Sequence, residues 1–402
     1  MTLDRFRRPL HLRLLVAGDR GLRALGLSRD RLRPEAVKAD AAAATGLDDF
    51  GPGDFEEGLA VFCESAETEG GIDMVGRMVL RAFLRRILGN RLLLVHHQNN
   101  NPETPGLAKP PVIVLGLPRT GTTFLHRLLA QDPDVYGPPA WQVWRPLPRP
   151  TGPDRRREVA AGALRDIHKL SPGLDARHHV AVDEPEEDYH LLDPSFRAAG
   201  LGMICPVKGY FDWVQQQDPV PAYRIYHQYL RVIQQTAPGK RLVLKTPLHT
   251  PYMETIAQEI PGTLFVQTHR DLPQVAGSLA SLCHAMFSVT SPRVDPDKIG
   301  EIALDLLQWM ARESMEQRAR CNLPVVDVQY TDLVTDPVAT VRRIYAEHDF
   351  EWTPEVEAAV RHGAAQRPQH KQGEHRYELS DFGLSAERVK AVLGEYSREY
   401  LP

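Results

Sequence analysis

Hydrophobic positions divide the chain into two regimes. In the first hundred residues Leu59, Phe62, Met74, Met78, Leu80, Phe83, Leu84, Ile87 and Leu88 recur at helical spacing, with no alternation of period two. Gly89-Asn90 and then Asn99-Asn100-Asn101-Pro102 read as stop signals, and the proline-rich stretch 102–111 reads as a linker. Short β-branched runs follow at Val112–Leu115, Leu242–Leu244, Thr263–Thr268 and Val325–Val328, each bounded by turn residues. Helical segments come after them, at Thr122–Gln131, Thr250–Glu259, Gln274–Phe287 and Val338–His348. Uninterrupted apolar strands alternating with helices predict an α/β fold: a mainly parallel, P-loop-like sheet flanked by helices. Roughly 125 residues separate the first two runs, too many for one crossover, so a large helical insertion is expected. The expected organisation is an N-terminal helical region, 1–108, and an α/β domain, 109–402, whose insertion at about 140–240 forms a pocket or lid.

The sharpest local pattern runs from Pro111 to Leu129. A buried strand enters Gly116, turns through Pro118 to Gly121 and starts a helix at Thr122. That layout aims the free N–H groups of Arg119, Thr120, Gly121, Thr122 and Thr123, and the positive helix end, at one point where an anion fits. The spacing matches a P-loop, but Thr122 stands where an ATP or GTP enzyme has its lysine, and the cation has moved inside the loop to Arg119. A ligand with a 5′-phosphate-linked group and no triphosphate suits the loop better. Downstream, a second strand ends at Arg270, Pro273 opens a helix, and Ser278 follows eight residues after the arginine, placed to share an anion with it.

These segments resemble the 5′-phosphosulfate loop and the 3′-phosphate motif of sulfotransferases that use 3′-phosphoadenosine 5′-phosphosulfate (PAPS), in their bacterial branch. Leu117-Pro-Arg-Thr-Gly-Thr-Thr-Phe124 is the loop, and Arg270 with Ser278 the phosphate pair. Lys245-Thr-Pro-Leu-His resembles the strand-end segment before that pair. Tyr330-Thr-Asp-Leu-Val-Thr-Asp-Pro resembles the family's Tyr-x-Asp-Leu-x-x-Asp-Pro, and 371–384 its C-terminal segment. The resemblance implies that PAPS is held by Arg119, Thr120, Gly121, Thr122, Thr123, Phe124, Arg270, Ser278, Tyr330, Lys371 and Gly373, and that Arg119 and Lys245 stabilise charge. Eukaryotic cytosolic members usually carry Lys at the position of Arg119, Trp at that of Phe124 and His at that of Pro247. Many bacterial relatives have Glu at that of Gln142.

With that histidine replaced, two candidates compete for the general base. His249 follows the strand end and titrates at about 6.5 when unperturbed. Glu187 lies in the acidic run Asp183-Glu-Pro-Glu-Glu-Asp188, ordinarily a solvated loop. The expectation favours His249 narrowly. Insertion aromatics (Trp141, Trp144, Phe196, Phe211, Trp213) suggest a small hydrophobic alcohol or phenol as acceptor.

Composition trims the alternatives. A net charge of −4 argues against a nucleic-acid-coating protein, although 39 of the 48 cations are Arg, which grips oxyanions bidentately. Cys63, Cys205, Cys283 and Cys321 form no CxxC pair, which fits a reducing compartment, and no apolar run approaches a membrane span. A cytoplasmic location is expected, and no metal ligand pattern such as HExxH occurs. A P-loop kinase and a non-catalytic nucleotide-binding module remain as competing readings.

Overall fold

The computed structural model describes residues 31–171, 174–291, 293–366 and 378–402, with a few positions of the first thirty. Five strands, β1 (Val112–Gly116), β2 (Val135–Tyr136), β3 (Arg241–Lys245), β4 (Leu264–His269) and β5 (Val325–Gln329), pair in the order β2-β3-β1-β4-β5. Every pairing is parallel, with Val114 opposite Lys245 and Gly116 opposite Thr268. Successive strand residues feed different cores. Ile113, Leu115, Leu242, Leu244 and Phe265 meet Tyr223, Tyr226, Tyr229 and Ile233 of the helix Val220–Gln234 on one face. Val112, Val114, Val243, Val266 and Val328 meet Leu125, Leu128, Val341 and Ile344 on the other. Both faces are covered, so the strands read as continuous apolar runs. The four expected strands are present, and β2, only two residues long, escaped the pattern.

The helices used below are α1 (Met74–Asn100), α2 (Thr122–Leu129), α3 (Ala140–Trp144), α4 (Leu272–Thr290), α5 (Pro296–Arg320) and α6 (Ala386–Tyr400). Asp73 caps α1 by accepting the Gly76 N–H at 3.0 Å. Gly89-Asn90 does not stop that helix, contrary to the reading from sequence. Both residues are buried, and Asn90 donates through Nδ2 to the Trp144 carbonyl at 3.0 Å, so tertiary packing outweighs their weak helix propensity. Nor do the N-terminal helices close a core of their own. Phe62, Leu80, Leu84 and Leu88 pack with Phe196, Leu201, Tyr210 and Val214 from the large insertion.

A fourth core joins α4, α5 and α6 through Leu279, Phe287, Leu307, Met310, Leu393 and Tyr396. Its polar edge fixes the ends of β4 and β5. His269 donates through Nε2 to Asp327 at 2.7 Å and pairs through Nδ1 with the Tyr396 hydroxyl at 2.9 Å. Tyr400 stacks on the His269 ring at 5.0 Å, and Arg318 grips Asp327 through both terminal nitrogens at 2.6 and 2.7 Å. Burial opposes ionisation of Asp327, but the Arg318 guanidinium and His269 outweigh it and hold the carboxyl well below its usual range. A depressed folded-state pKa contributes stability above the ordinary carboxylate value of about 3.9 that is lost as pH falls below it. Asp327→Asn should therefore lower Tm at neutral pH, and its Tm should fall less than the parent's on acidification below about pH 4. Thermal unfolding followed across pH checks both outcomes.

Candidate active site

β1 delivers the chain into a loop that only particular residues can build. Gly116 sits at φ 129°, where a Cβ would lie 2.5 Å from the Thr268 carbonyl oxygen. The Thr250 hydroxyl accepts the Gly116 N–H and donates to its carbonyl, each at 2.9 Å. Arg119 adopts φ 72°, left-handed backbone that a non-glycine residue enters at a cost, and such strain concentrates at ligand clamps. Its carbonyl accepts from Arg270 Nη1 at 3.1 Å, and its own Nε donates to the Ser278 hydroxyl at 3.0 Å. Thr120 donates to the Leu117 carbonyl and shares a 2.6 Å contact with the Thr268 hydroxyl. Gly121 turns at φ 98° into α2, and a Cβ there would meet the Tyr330 ring at 2.9 Å. The first turn of α2 then presents N–H groups that have no partner within the helix.

Arg270 closes one side of the loop. Its guanidinium lies 4.1 Å above the Tyr330 ring, and Nη2 donates to Gln274 at 3.1 Å. Its Nε is buried with no hydrogen-bond partner among the described residues, a donor left for something else. Sequence spacing suggested that Ser278 shares an anion with Arg270; in the structure the Ser278 hydroxyl accepts from Arg119, whose carbonyl Arg270 holds, so the three lie at one wall.

The other side is built on Lys245, the last residue of β3, whose side chain has no exposed surface. Its ammonium donates to Glu187 Oε1 at 2.7 Å and to the Thr123 hydroxyl of α2 at 3.1 Å, and Thr246 donates to Glu187 Oε2 at 3.3 Å. The acidic stretch is thus not a solvated loop. Asp183 is exposed on Arg157, but Glu186 and Asp188 are buried, and Arg127 of α2 pairs with Glu184 at 3.1 Å. Ligand atoms of His178, Glu186 and Glu187 lie within 4.8 Å of one another. Lys245 already neutralises Glu187, and His178 approaches Glu186 at 3.4 Å, so side chains of this protein meet these acids directly.

His249 stands apart from this group. Fully buried, it contacts the Tyr223 hydroxyl through Nδ1 at 2.9 Å and Asp188 through Nε2 at 3.3 Å, with the Tyr226 ring 5.1 Å away. Burial works against ionisation of Asp188; His249 and the Tyr226 hydroxyl outweigh it and hold the carboxyl below its ordinary value. Phe124 is half-buried and packs towards the valine-lined core. Lys371 and Gly373 lie outside the described residues. The insertion aromatics do not gather in one pocket: Phe196 belongs to the N-terminal core, Trp213 approaches Glu57, and Phe211 packs on Trp309. Thr246, Thr250 and Thr268 went unnoticed from sequence, because threonines at strand ends carry no local signature.

The model of the sulfotransferase family matches residues 110–354, more than half of the chain. The chain belongs to the sulfotransferase family. Crystal structures of the sulfotransferases STF1 from Mycobacterium tuberculosis H37Rv and STF9 from Mycobacterium avium share this fold. They are 31% and 26% identical, cover 92% and 91% of this chain and 100% and 96% of their own, and superpose with TM-scores of 0.80 and 0.81. Among curated relatives, the omega-hydroxy-beta-dihydromenaquinone-9 sulfotransferase Stf3 of Mycobacterium bovis, and that of Mycobacterium tuberculosis, is 24% identical over 279 residues, 60% of this chain. The match spans 62% of the length of those relatives.

A buried ion pair is costly to break and cheap to replace whole. Lys245→Met should destabilise this sulfotransferase fold by about 3–5 kcal/mol, because it strands Glu187, and the double substitution with Glu187→Met should recover most of the loss. Chemical denaturation of the parent, both single variants and the double variant measures the cycle.

Proposed function

We propose that this family member transfers a sulfuryl group from PAPS to a hydroxyl of a small acceptor, with Glu187 as general base. The observation that carries the reading is the convergence of Arg119, Arg270 and Ser278 on one side of the loop and Lys245, Thr123 and Glu187 on the other. The donor supplies an activated sulfuryl group and a 3′-phosphate. The amides that open α2 and the Arg119 guanidinium would hold the 5′ end, and the unpartnered Nε of Arg270, stacked on Tyr330, suits the 3′-phosphate. The insertion, about 140–240, would supply the acceptor pocket.

In-line transfer needs an aligned acceptor, a neutralised leaving oxygen and an acceptor for the hydroxyl proton. The new S–O bond forms from the acceptor oxygen as the bond to the donor's bridging oxygen breaks, and the proton passes to the Glu187 carboxylate. Lys245, held by Glu187 and Thr123, would place its charge where negative charge grows. This reverses the ranking drawn from sequence. His249 is sealed between Tyr223, Tyr226 and Asp188 and has no exposed surface to offer an acceptor, whereas Glu187 keeps 18% of its side chain exposed beside the loop. The relatives named for an omega-hydroxylated menaquinone support an apolar acceptor.

Glu187→Gln should lower turnover by roughly 10²–10⁴-fold with donor affinity nearly intact, while His249→Gln should mainly lower Tm. A dead His249→Gln beside an active Glu187→Gln would return the role to the histidine. For the donor, 3′-phosphoadenosine 5′-phosphate should raise Tm and ATP should not. Arg270→Ala should weaken binding of the former at least about tenfold, since a charge-assisted hydrogen bond contributes roughly 1.5–3 kcal/mol. Calorimetry with both nucleotides is decisive, and turnover in excess EDTA should equal that of the untreated enzyme.

A further inference from the structure

The end of α3 carries a cluster of cations that the transfer chemistry does not use. The Trp144 carbonyl accepts from Arg86 Nη1 and Asn90 Nδ2, both at 3.0 Å, which ties α3 to the middle of α1. Arg145 follows, half-buried; its carbonyl accepts from Arg156 Nη1 at 3.3 Å, and its guanidinium makes no hydrogen bond or ion pair among the described residues. Burial and then the charges of Arg86, Arg149 and Arg85 press its guanidinium down to about 10, and no acid counters them. Arg85 and Arg149 are exposed. Asp193 is the acid that faces Arg86, and it is buried and engaged by His190 at 3.3 Å. Like charges gathered in a half-buried place repel, and a bound anion would relieve that repulsion.

The cluster also adjoins the segment that carries Glu187. His190 lies three residues beyond Glu187 in the 3₁₀ turn Asp188–Leu191, a rise of roughly 6 Å. Its ring meets Tyr189 at 4.0 Å, Trp144 at 5.9 Å and Phe83 at 6.5 Å, and Arg86 covers Phe83 at 4.6 Å. A series of packed rings therefore links the segment that carries Glu187 to Arg86. Among those rings Trp144 Nε1 is a buried donor with no partner among the described residues.

We propose that Arg85, Arg86, Arg145 and Arg149 form a subsite for an anionic group, phosphate or carboxylate, carried by the acceptor at the end remote from its reacting hydroxyl. The acceptor is then an amphiphile with an apolar or aromatic body. This deepens the reading above and rests on its placement of the acceptor beside Glu187.

The test compares ω-hydroxyalkyl phosphates and ω-hydroxyalkyl carboxylates with diols of the same chain length. Binding is read by calorimetry without donor, and KM and kcat are read with PAPS. An anionic end should lower Kd and KM at least about tenfold, the worth of one charge-assisted contact, with little change in kcat. Arg145→Gln combined with Arg149→Gln breaks no side-chain hydrogen bond or ion pair among the described residues and should erase the difference between anionic acceptors and diols. Inorganic phosphate should compete with the hydroxyalkyl phosphate in the parent protein. Equal Kd for hydroxyalkyl phosphate, carboxylate and diol overturns the proposal. So does sedimentation with phosphatidylglycerol vesicles that depends on these arginines while the anionic acceptors show no advantage, since the cluster would then be a membrane contact. A retained preference for anionic ends with no stabilisation by 3′-phosphoadenosine 5′-phosphate would overturn the donor reading and leave the subsite standing.

Discussion

A lysine ammonium with no exposed surface organises this molecule. Lys245 ends β3 in the middle of the sheet, and removing its charge from water costs several kcal/mol unless partners are supplied. Glu187 and Thr123 supply them, and each belongs to a different part of the fold. One is in the insertion, the other in the first turn of the helix after the loop. The need to solvate one cation therefore fastens the insertion to the sheet at the place where the loop opens. Open parallel sheets bind ligands at the carboxyl ends of their strands, and here that edge is where the buried charge must be met.

The loop depends on similarly close constraints. Its two glycines lie where a side chain would strike the Thr268 carbonyl or the Tyr330 ring, and Arg119 is held in left-handed backbone by Arg270. The strand end carrying Arg270 is itself clamped by His269, Asp327, Arg318 and the tyrosines of α6. The C-terminal helix thus sets the position of a guanidinium that sequence motifs assign to donor binding. An aromatic and ionic clamp at one edge of the sheet becomes alignment at the loop.

Much of this was legible in the chain because the relevant signals are local. Gly116, Arg119 and Gly121 encode a loop through backbone requirements that hold wherever the segment sits. Three of the four longer strands encode themselves through near-continuous burial, and β5 through alternation. What the sequence could not reveal is direction. His249 and Glu187 both follow strand or loop ends, and nothing local says that one turns into a sealed tyrosine pocket while the other turns to Lys245. Gly89-Asn90 failed for the same reason: a stop signal is a weak local preference, and a buried hydrogen bond to Trp144 outweighs it. The insertion aromatics do not form one set because composition gathers residues that packing distributes.

Charge around the loop is kept uneven by burial. His126 projects from α2 beneath Lys245 and contacts the Val243 carbonyl at 3.1 Å. Burial, and then the Lys245 charge, push its imidazole down to about 4, so it is neutral at physiological pH. A second cation there would compete with Lys245 for Glu187 and repel the ammonium from below. A neutral ring instead satisfies a backbone carbonyl without adding charge. Among the described residues, the positive charge facing the loop therefore comes from Arg119, Arg270 and Lys245, on two sides of one helix end.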